Sequence, residues 1–117
     1  MTQKEDCIFC KIALKKIPSK TVFEDKDLVA FEDIDPQSPV HIVVISKKHI
    51  EKLSDTGDED TELIGRMVMA AKRIAKERGI QESGYRVVIN CNKDGGQAVW
   101  HLHLHLLGGR PMHWPPG

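Results

Sequence analysis

The sequence predicts an α+β fold with about five mainly antiparallel strands, one long helix against the sheet and a short N-terminal helix. Three observations support this prediction. Short apolar runs are separated by turn-forming residues. Residues 61–78 repeat apolar side chains at helical spacing, and residues 101–106 alternate between histidine and leucine. The chain has 117 residues, so one domain over 1–117 is expected.

The first half of the chain predicts a helix and three strands. Residues 8–17 carry apolar side chains at helical spacing and end before Pro18, which favours a short helix. Residues 21–24 and 28–32 flank an Asp-Lys-Asp turn and predict a hairpin. The continuous apolar centre of residues 41–46 predicts a strand that is buried on both faces and central in the sheet.

The second half predicts the long helix and two further strands. The helix is expected over 61–78, with Gly79 as its stop. Its apolar stripe consists of Leu63, Ile64, Met67, Val68, Ala71, Ile74 and Ala75. Residues 85–90 predict a strand, and residues 90–96 form the turn into the last strand, which the pattern places within residues 95–109.

Three histidines in this last stretch are the strongest functional signal. Side chains alternate along a strand, so His101, His103 and His105 would share one face while the intervening leucines pack into the core. Imidazole serves as a nucleophile, a proton carrier or a metal ligand. The outer two Cα atoms would lie about 13 Å apart, so all three rings cannot grip one metal on a straight strand. A merely polar, solvated strand face is the alternative.

Charge and composition exclude several classes of function. Lysine plus arginine equals aspartate plus glutamate, so no basic field exists to bind a nucleic acid polymer. The polar start at residues 1–6 lacks an apolar signal segment, and the longest apolar run, residues 42–45, is too short to span a membrane. Three cysteines are too few for a disulfide scaffold. A cytoplasmic protein without a membrane partner is expected.

The pair Cys7 and Cys10 has a Cys-x-x-Cys spacing with three interpretations. It could be redox-active, it could form half of a zinc site, or it could be coincidental. A thioredoxin-like motif would follow a strand, and none is predicted before Cys7. The spacing alone leaves the choice open.

Four residues before and within the central strand are further candidates. Asp33 opens a loop with two prolines at 33–39, where it could cap turn backbone or bind a ligand. Phe31 and Ile34 could wall a pocket or pack in the core. For the single His41, a hydrogen-bonded structural role is the default.

The run His-Leu-His-Leu-His-Leu-Leu at residues 101–107 resembles the motif of the histidine triad (HIT) superfamily. Asp-Gly-Gly-Gln at 94–97 and the tail at 108–117 look like its Hint branch, the purine nucleoside phosphoramidases. The resemblance covers nearly the whole chain. It implies a homodimer with sheets joined edge to edge. Trp114 lies among prolines and offers a large apolar area, which predicts that the tail at 111–117 is ordered and reaches the active site of the partner subunit. A frayed terminus is the alternative.

The resemblance implies hydrolysis of the P–N bond of purine nucleoside 5′-phosphoramidates to a nucleoside monophosphate and an amine. His103 matches the nucleophile that forms a covalent nucleotidyl intermediate, His105 matches a phosphate-binding position, and His41 matches a histidine near the triad. Asp33 matches the residue that binds the ribose hydroxyls. Ala98 stands where animal Hint proteins have a serine that contacts phosphate. The implied substrate-binding residues are Phe31, Asp33, Ile34, Asn90, Gly96, Gln97, Ala98 and Trp114.

The resemblance also implies a structural zinc ion and no catalytic metal. Its ligands would be Cys7, Cys10, His49 and His101. Three other functions remain open on the sequence. They are a diadenosine polyphosphate hydrolase or nucleotidyltransferase, a non-catalytic nucleotide-binding regulatory module, and a structural zinc protein.

Overall fold

The computed structural model describes residue 4 and residues 6–117. Residues 1–3 and 5, part of the polar start, lie outside the described residues. The helices are α1 (Ile8–Ala13) and α2 (Thr61–Glu77), and the strands are β1 (Thr21–Glu24), β2 (Leu28–Glu32), β3 (Val40–Ser46), β4 (Tyr85–Val88) and β5 (His103–Gly108). The sheet order is β1-β2-β3-β5-β4, and every pair is antiparallel. The α+β prediction is confirmed.

Each face of the sheet is covered by one helix, and β3 is the central strand. On one face, Leu104 and Leu106 of β5 pack with Met67 and Ile74 of α2. On the other face, Phe9 of α1 packs in a second cluster with residues of β2 and β3. Burial of apolar side chains on both faces explains the continuous apolar run of β3.

The N-terminal helix ends at Ala13, four residues before the predicted end. Lys15 adopts a left-handed conformation with φ 62°. The N–H of Lys15 then donates to the carbonyl of Ile12, and that of Lys16 to the carbonyl of Lys11. These two hydrogen bonds form a Schellman motif, which closes the helix before Pro18 is reached.

The histidine strand is shorter than the sequence indicates. β5 begins at His103, so the prediction of a strand carrying all three histidines is wrong for His101. The N–H of Leu102 donates to the carbonyl of Ile50 instead of a strand neighbour. β4 likewise ends at Val88 rather than residue 90. The other predicted strands and the long helix end within one residue of the observed bounds, with Gly79 at φ 74° after α2.

No helix in the described part of the chain is long and apolar enough to cross a membrane.

Candidate active site and metal centre

His103 and His105 lie on the α1 face of the sheet. β5 pairs with β3, which sets His103 opposite Ile45 and His105 opposite Val43. The ring of Phe9 meets the His103 ring edge-on, with 5.1 Å between centroids. His103 is therefore only 5% exposed, and its ring lies 4.9 Å from that of His105. The alternation of histidine and leucine along β5 thus places His103 and His105 on one face of the sheet and the leucines on the other, as predicted.

Hydrogen bonding fixes the tautomer of His103. Its Nδ1–H donates to the carbonyl oxygen of His101 at 2.6 Å. Nε2 therefore carries the lone pair. Burial lowers the pKa of His103, against an opposing effect of the same hydrogen bond. A neutral imidazole with a free Nε2 is the nucleophilic form.

His41 and His105 form a hydrogen-bonded pair whose direction is set by the main chain. The N–H of Gln37 donates to His41 Nδ1 at 3.0 Å, so the proton of neutral His41 is on Nε2. His41 Nε2 lies 2.9 Å from His105 Nδ1 and donates to it. His105 then keeps its own proton on Nε2. The pair thus presents an N–H donor rather than a lone pair.

Burial keeps both rings of this pair neutral. It lowers the pKa of His41, while the carboxylates of Asp33 and Asp35 oppose that change. Burial, together with the neighbouring His103 and His41, lowers the pKa of His105 to about 4.

Asp33, His41 and His105 place their ligand atoms within 4.8 Å of one another, which is also compatible with a metal ion. The hydrogen bonds argue against that use. A metal on His41 Nε2 would force the imidazole proton onto Nδ1, where it would face the N–H of Gln37. Asp33 Oδ2 lies 3.5 Å from His41 Nε2, and Oδ1 accepts the N–H of Asp35. Hydrogen bonding therefore accounts for this cluster.

A cleft of about 820 Å³ opens on the α1 face. Phe31 and Asp33 line it, and Ile34 is 98% exposed at its edge. The sequence did not indicate that α1, the segment after it and the segment before β5 would line this cleft. The lining residues from these segments include Ile8, Phe9, Ile12, Ile17 and Val99. The apolar spacing in the N-terminal segment predicted a helix, but it carried no information about which face of the sheet that helix covers.

The turn before β5 is held by Gln97. Its Oε1 accepts the N–H of Asn92, and its Nε2 donates to the carbonyls of Glu51 and Val99. The Gln97 side chain is buried and its polar atoms have partners within the chain. A Cβ at Gly95 would lie 2.5 Å from the Cys91 carbonyl oxygen, so only glycine fits there.

The remaining predicted substrate contacts are less enclosed. Gly96 has φ 81°, Ala98 is exposed and Asn90 is half-buried. Trp114 is 84% exposed. The tail that carries it is tied to β4 by Arg86, which donates to the carbonyl of His113 at 2.8 Å.

Cys7, Cys10, His49 and His101 converge from three parts of the chain. Cys7 Sγ lies 3.3 Å from His101 Nδ1, and Cys10 Sγ lies 3.2 Å from His49 Nδ1. The two Nδ1 atoms are 3.2 Å apart. Ligands on a tetrahedral zinc ion with usual bond lengths would be separated by about 3.3–3.8 Å. The cluster could therefore hold zinc with little rearrangement.

The protonation of these residues also fits a metal. His101 is fully buried, and its Nε2–H donates to the carbonyl of Ser46 at 2.6 Å, which leaves a lone pair on Nδ1. His49 Nε2 is buried without a hydrogen-bond partner among the described residues, so the polar contacts of His49 are made through Nδ1. Burial raises the pKa of Cys10 to about 11. A zinc ion would replace that thiol proton.

Comparisons with known proteins agree with this geometry. A family model described as the HIT domain matches residues 14–112. The purine nucleoside phosphoramidase of Escherichia coli K12 is 46% identical over 108 residues, which are 92% of this chain and 91% of that protein. A HIT family hydrolase from Legionella pneumophila has a TM-score of 0.94 at 54% identity, with 96% of this chain and 100% of that chain covered.

A further solved structure bears on the metal cluster. A Zn-bound histidine triad family protein from Mycobacterium smegmatis has a TM-score of 0.78 at 31% identity, with 90% of this chain and 76% of that chain covered. Given the domain match and these relatives, this chain belongs to the histidine triad (HIT) family.

Proposed function

We propose that this protein is a hydrolase of purine nucleoside 5′-phosphoramidates that acts through a covalent nucleotidyl-His103 intermediate. The observation that carries the proposal is the state of His103, whose Nε2 is unprotonated because Nδ1–H is held by the carbonyl of His101. The name of the E. coli relative supports the substrate class. The HIT family hydrolase from Legionella supports hydrolysis.

The first chemical step forms a bond from His103 Nε2 to phosphorus and breaks the P–N bond. The departing amine nitrogen takes up one proton from solvent as the P–N bond breaks. Because His105 Nε2–H points away from His41, it can donate to that amine or to a phosphoryl oxygen. The products are the free amine and a nucleotidyl-imidazole.

The second step hydrolyses the nucleotidyl-imidazole. Water attacks phosphorus and releases one proton to solvent, which balances the proton taken up by the amine in the first step. The bond between phosphorus and His103 Nε2 breaks, which restores the neutral imidazole and releases the nucleoside monophosphate. No step requires a metal ion.

The cleft suits a nucleoside. Phe31 supplies an apolar wall with the α1 residues, and Ile34 extends that wall at the edge. Asp33 Oδ1 keeps a lone pair beyond its bond to Asp35, so the carboxylate can accept the ribose hydroxyls. We place the phosphate near Asn90 and Gly96. We propose that Gln97 supports this phosphate site by holding the turn, because its side chain bonds to the main chain of Asn92 and Glu51.

We further propose that Cys7, Cys10, His49 and His101 bind one structural zinc ion, and that the active protein is a cytoplasmic homodimer. The tetrahedral spacing supports the zinc ion. β4 is an edge strand, and Val68 and Met69 of α2 are 40% and 47% exposed. An unpaired strand edge and exposed apolar side chains both support association with a second copy of the chain.

The tail at 111–117 would then reach the partner's active site. Trp114, with most of its ring exposed, is the side chain offered for that contact.

Replacement of the nucleophile tests this function. After incubation with adenosine 5′-phosphoramidate and an acid-free quench, intact-mass analysis of the wild type should show a nucleotidyl adduct. His103→Ala should show none and should lose several powers of ten in rate. Lys26→Ala, at an exposed position in the turn between β1 and β2, is the control and should keep both properties. AMP affinity of His103→Ala should stay within a few-fold. Turnover by His103→Ala within about tenfold of the wild type, or roughly 1.4 kcal/mol, would refute the assignment.

A further inference from the structure

We propose that Arg110 is a positioning residue for His41 and His105 and acts through the main chain of Gln37. This inference rests on the proposed function, because it assigns His105 the role of an N–H donor. Arg110 Nη2 and Nε lie 3.0 and 3.3 Å from the Gln37 carbonyl oxygen. The N–H of the same residue donates to His41 Nδ1. Arg110 thus lies at the start of a chain of contacts that ends at His105.

The segment around Gln37 needs such an anchor. The loop between β2 and β3 is mostly exposed from Ile34 to Gln37, whereas the ring of His41 that it contacts is buried. Among the described residues, the side chain of Gln37 is hydrogen-bonded to the nearby carbonyl of Asp35 alone. The contact from Arg110 comes from a residue 73 positions away in the sequence.

Arg110 is well placed to fix His41 relative to His105 because it follows the strand that carries His105. β5 ends at Gly108, and Gly109 has φ 90°. A Cβ at Gly109 would lie 2.8 Å from Cβ of Pro39, so glycine lets the chain pass directly against the loop. The loop is thereby held by the extension of β5 itself.

The chemical consequence concerns the tautomer. While the N–H of Gln37 faces His41 Nδ1, the His41 proton must be on Nε2. If the loop moves away, His41 can carry its proton on Nδ1 and accept at Nε2. His105 would then donate from Nδ1 and turn a lone pair, not an N–H, toward the substrate. Arg110 therefore selects the tautomer in which His105 is a donor.

The test uses two variants of the full-length protein. Arg110→Met keeps the aliphatic stem without the donors, and Arg110→Lys restores one donor. We expect kcat for adenosine 5′-phosphoramidate to fall at least tenfold in Arg110→Met with KM within about threefold, and Arg110→Lys to recover part of the loss. Arg73→Ala is the control, since Arg73 lies over Phe23, and should leave kcat unchanged.

Nitrogen NMR of the imidazoles provides a readout that a merely structural role would not alter. In the wild type, His41 and His105 should both show protonated Nε2. In Arg110→Met they should show mixed tautomers, and this comparison needs no substrate. Wild-type protein that does not turn over phosphoramidates would overturn the proposed function but not the tautomer result. Unchanged tautomers in Arg110→Met, whatever its kcat or melting temperature, would overturn the role of Arg110.

Discussion

Replacement of Leu104 by alanine should separate stability from chemistry. Leu104 is fully buried, pairs with Val44 and packs in the α2-facing core. Its two neighbours, His103 and His105, face the opposite side of the sheet. The change removes apolar contacts from one face and leaves the hydrogen bonds on the other intact.

The expected cost follows from that burial. Leucine-to-alanine changes at fully buried sites cost about 2.7–5 kcal/mol, because transfer energy is lost and a cavity remains. β3 and α2 pack against this position from two sides and restrict collapse of the cavity. We therefore expect a loss of about 3 kcal/mol in the free energy of unfolding, which corresponds to about 12 °C in Tm for a chain of this size.

Urea denaturation at 25 °C would measure the loss, and turnover would be compared at 15 °C, where the variant is folded. Leu53→Ala is the matched control, because Leu53 is 36% exposed and should cost under about 1 kcal/mol. A loss under about 1 kcal/mol for Leu104→Ala would contradict the core assignment. A tenfold fall in kcat in the folded variant would show that the two faces are not independent.

Three further predictions concern the metal, pH and the tail. Metal analysis should find one zinc ion per wild-type chain and little zinc in Cys10→Ser. The free energy of unfolding of the wild type should rise by about 1.4 kcal/mol for each tenfold increase in free zinc above Kd. Well under one zinc ion per wild-type chain after zinc-supplemented growth would contradict this prediction. Burial holds the pKa of His105 at about 4 in the folded protein, below its value of about 6.5 in the unfolded chain. Because only the unfolded chain then takes up this proton between these pH values, the free energy of unfolding should fall as the pH falls from about 6.5 toward 4. When the free energy of unfolding is measured by urea titration across this pH range, His105→Gln should reduce its slope against pH by up to about 1.4 kcal/mol per pH unit. An unchanged slope would count against a lowered pKa for His105. Deletion of residues 112–117 should change the selectivity among leaving-group amines, as measured by kinetics, and should leave the dimer intact, as measured by light scattering. Kinetics identical to those of the wild type across several amines would refute a role for the tail.

Local sequence patterns, which repeat every two to four residues, predicted most of the strands and helices of this protein. The alternation at 103–106 separates the core leucines from the histidines because successive side chains of a strand face opposite sides. The apolar centre of 41–46 identified the central strand, since both faces of β3 are covered. Gly79 marked the end of α2 because glycine readily adopts a positive φ. The motif at 101–107 indicated the family before any geometry was known.

The tertiary structure decided what depends on contacts between distant residues and on the main chain. The early end of α1 and the late start of β5 follow from backbone hydrogen bonds, which leave no side-chain pattern to read. The cleft requires α1 to cover β2 and β3. The tautomers of His103 and His105 are set by a carbonyl of His101 and an N–H of Gln37. Every residue except proline carries those two groups. The sequence therefore determined which imidazoles are present, while only the fold determined which of their nitrogens is protonated.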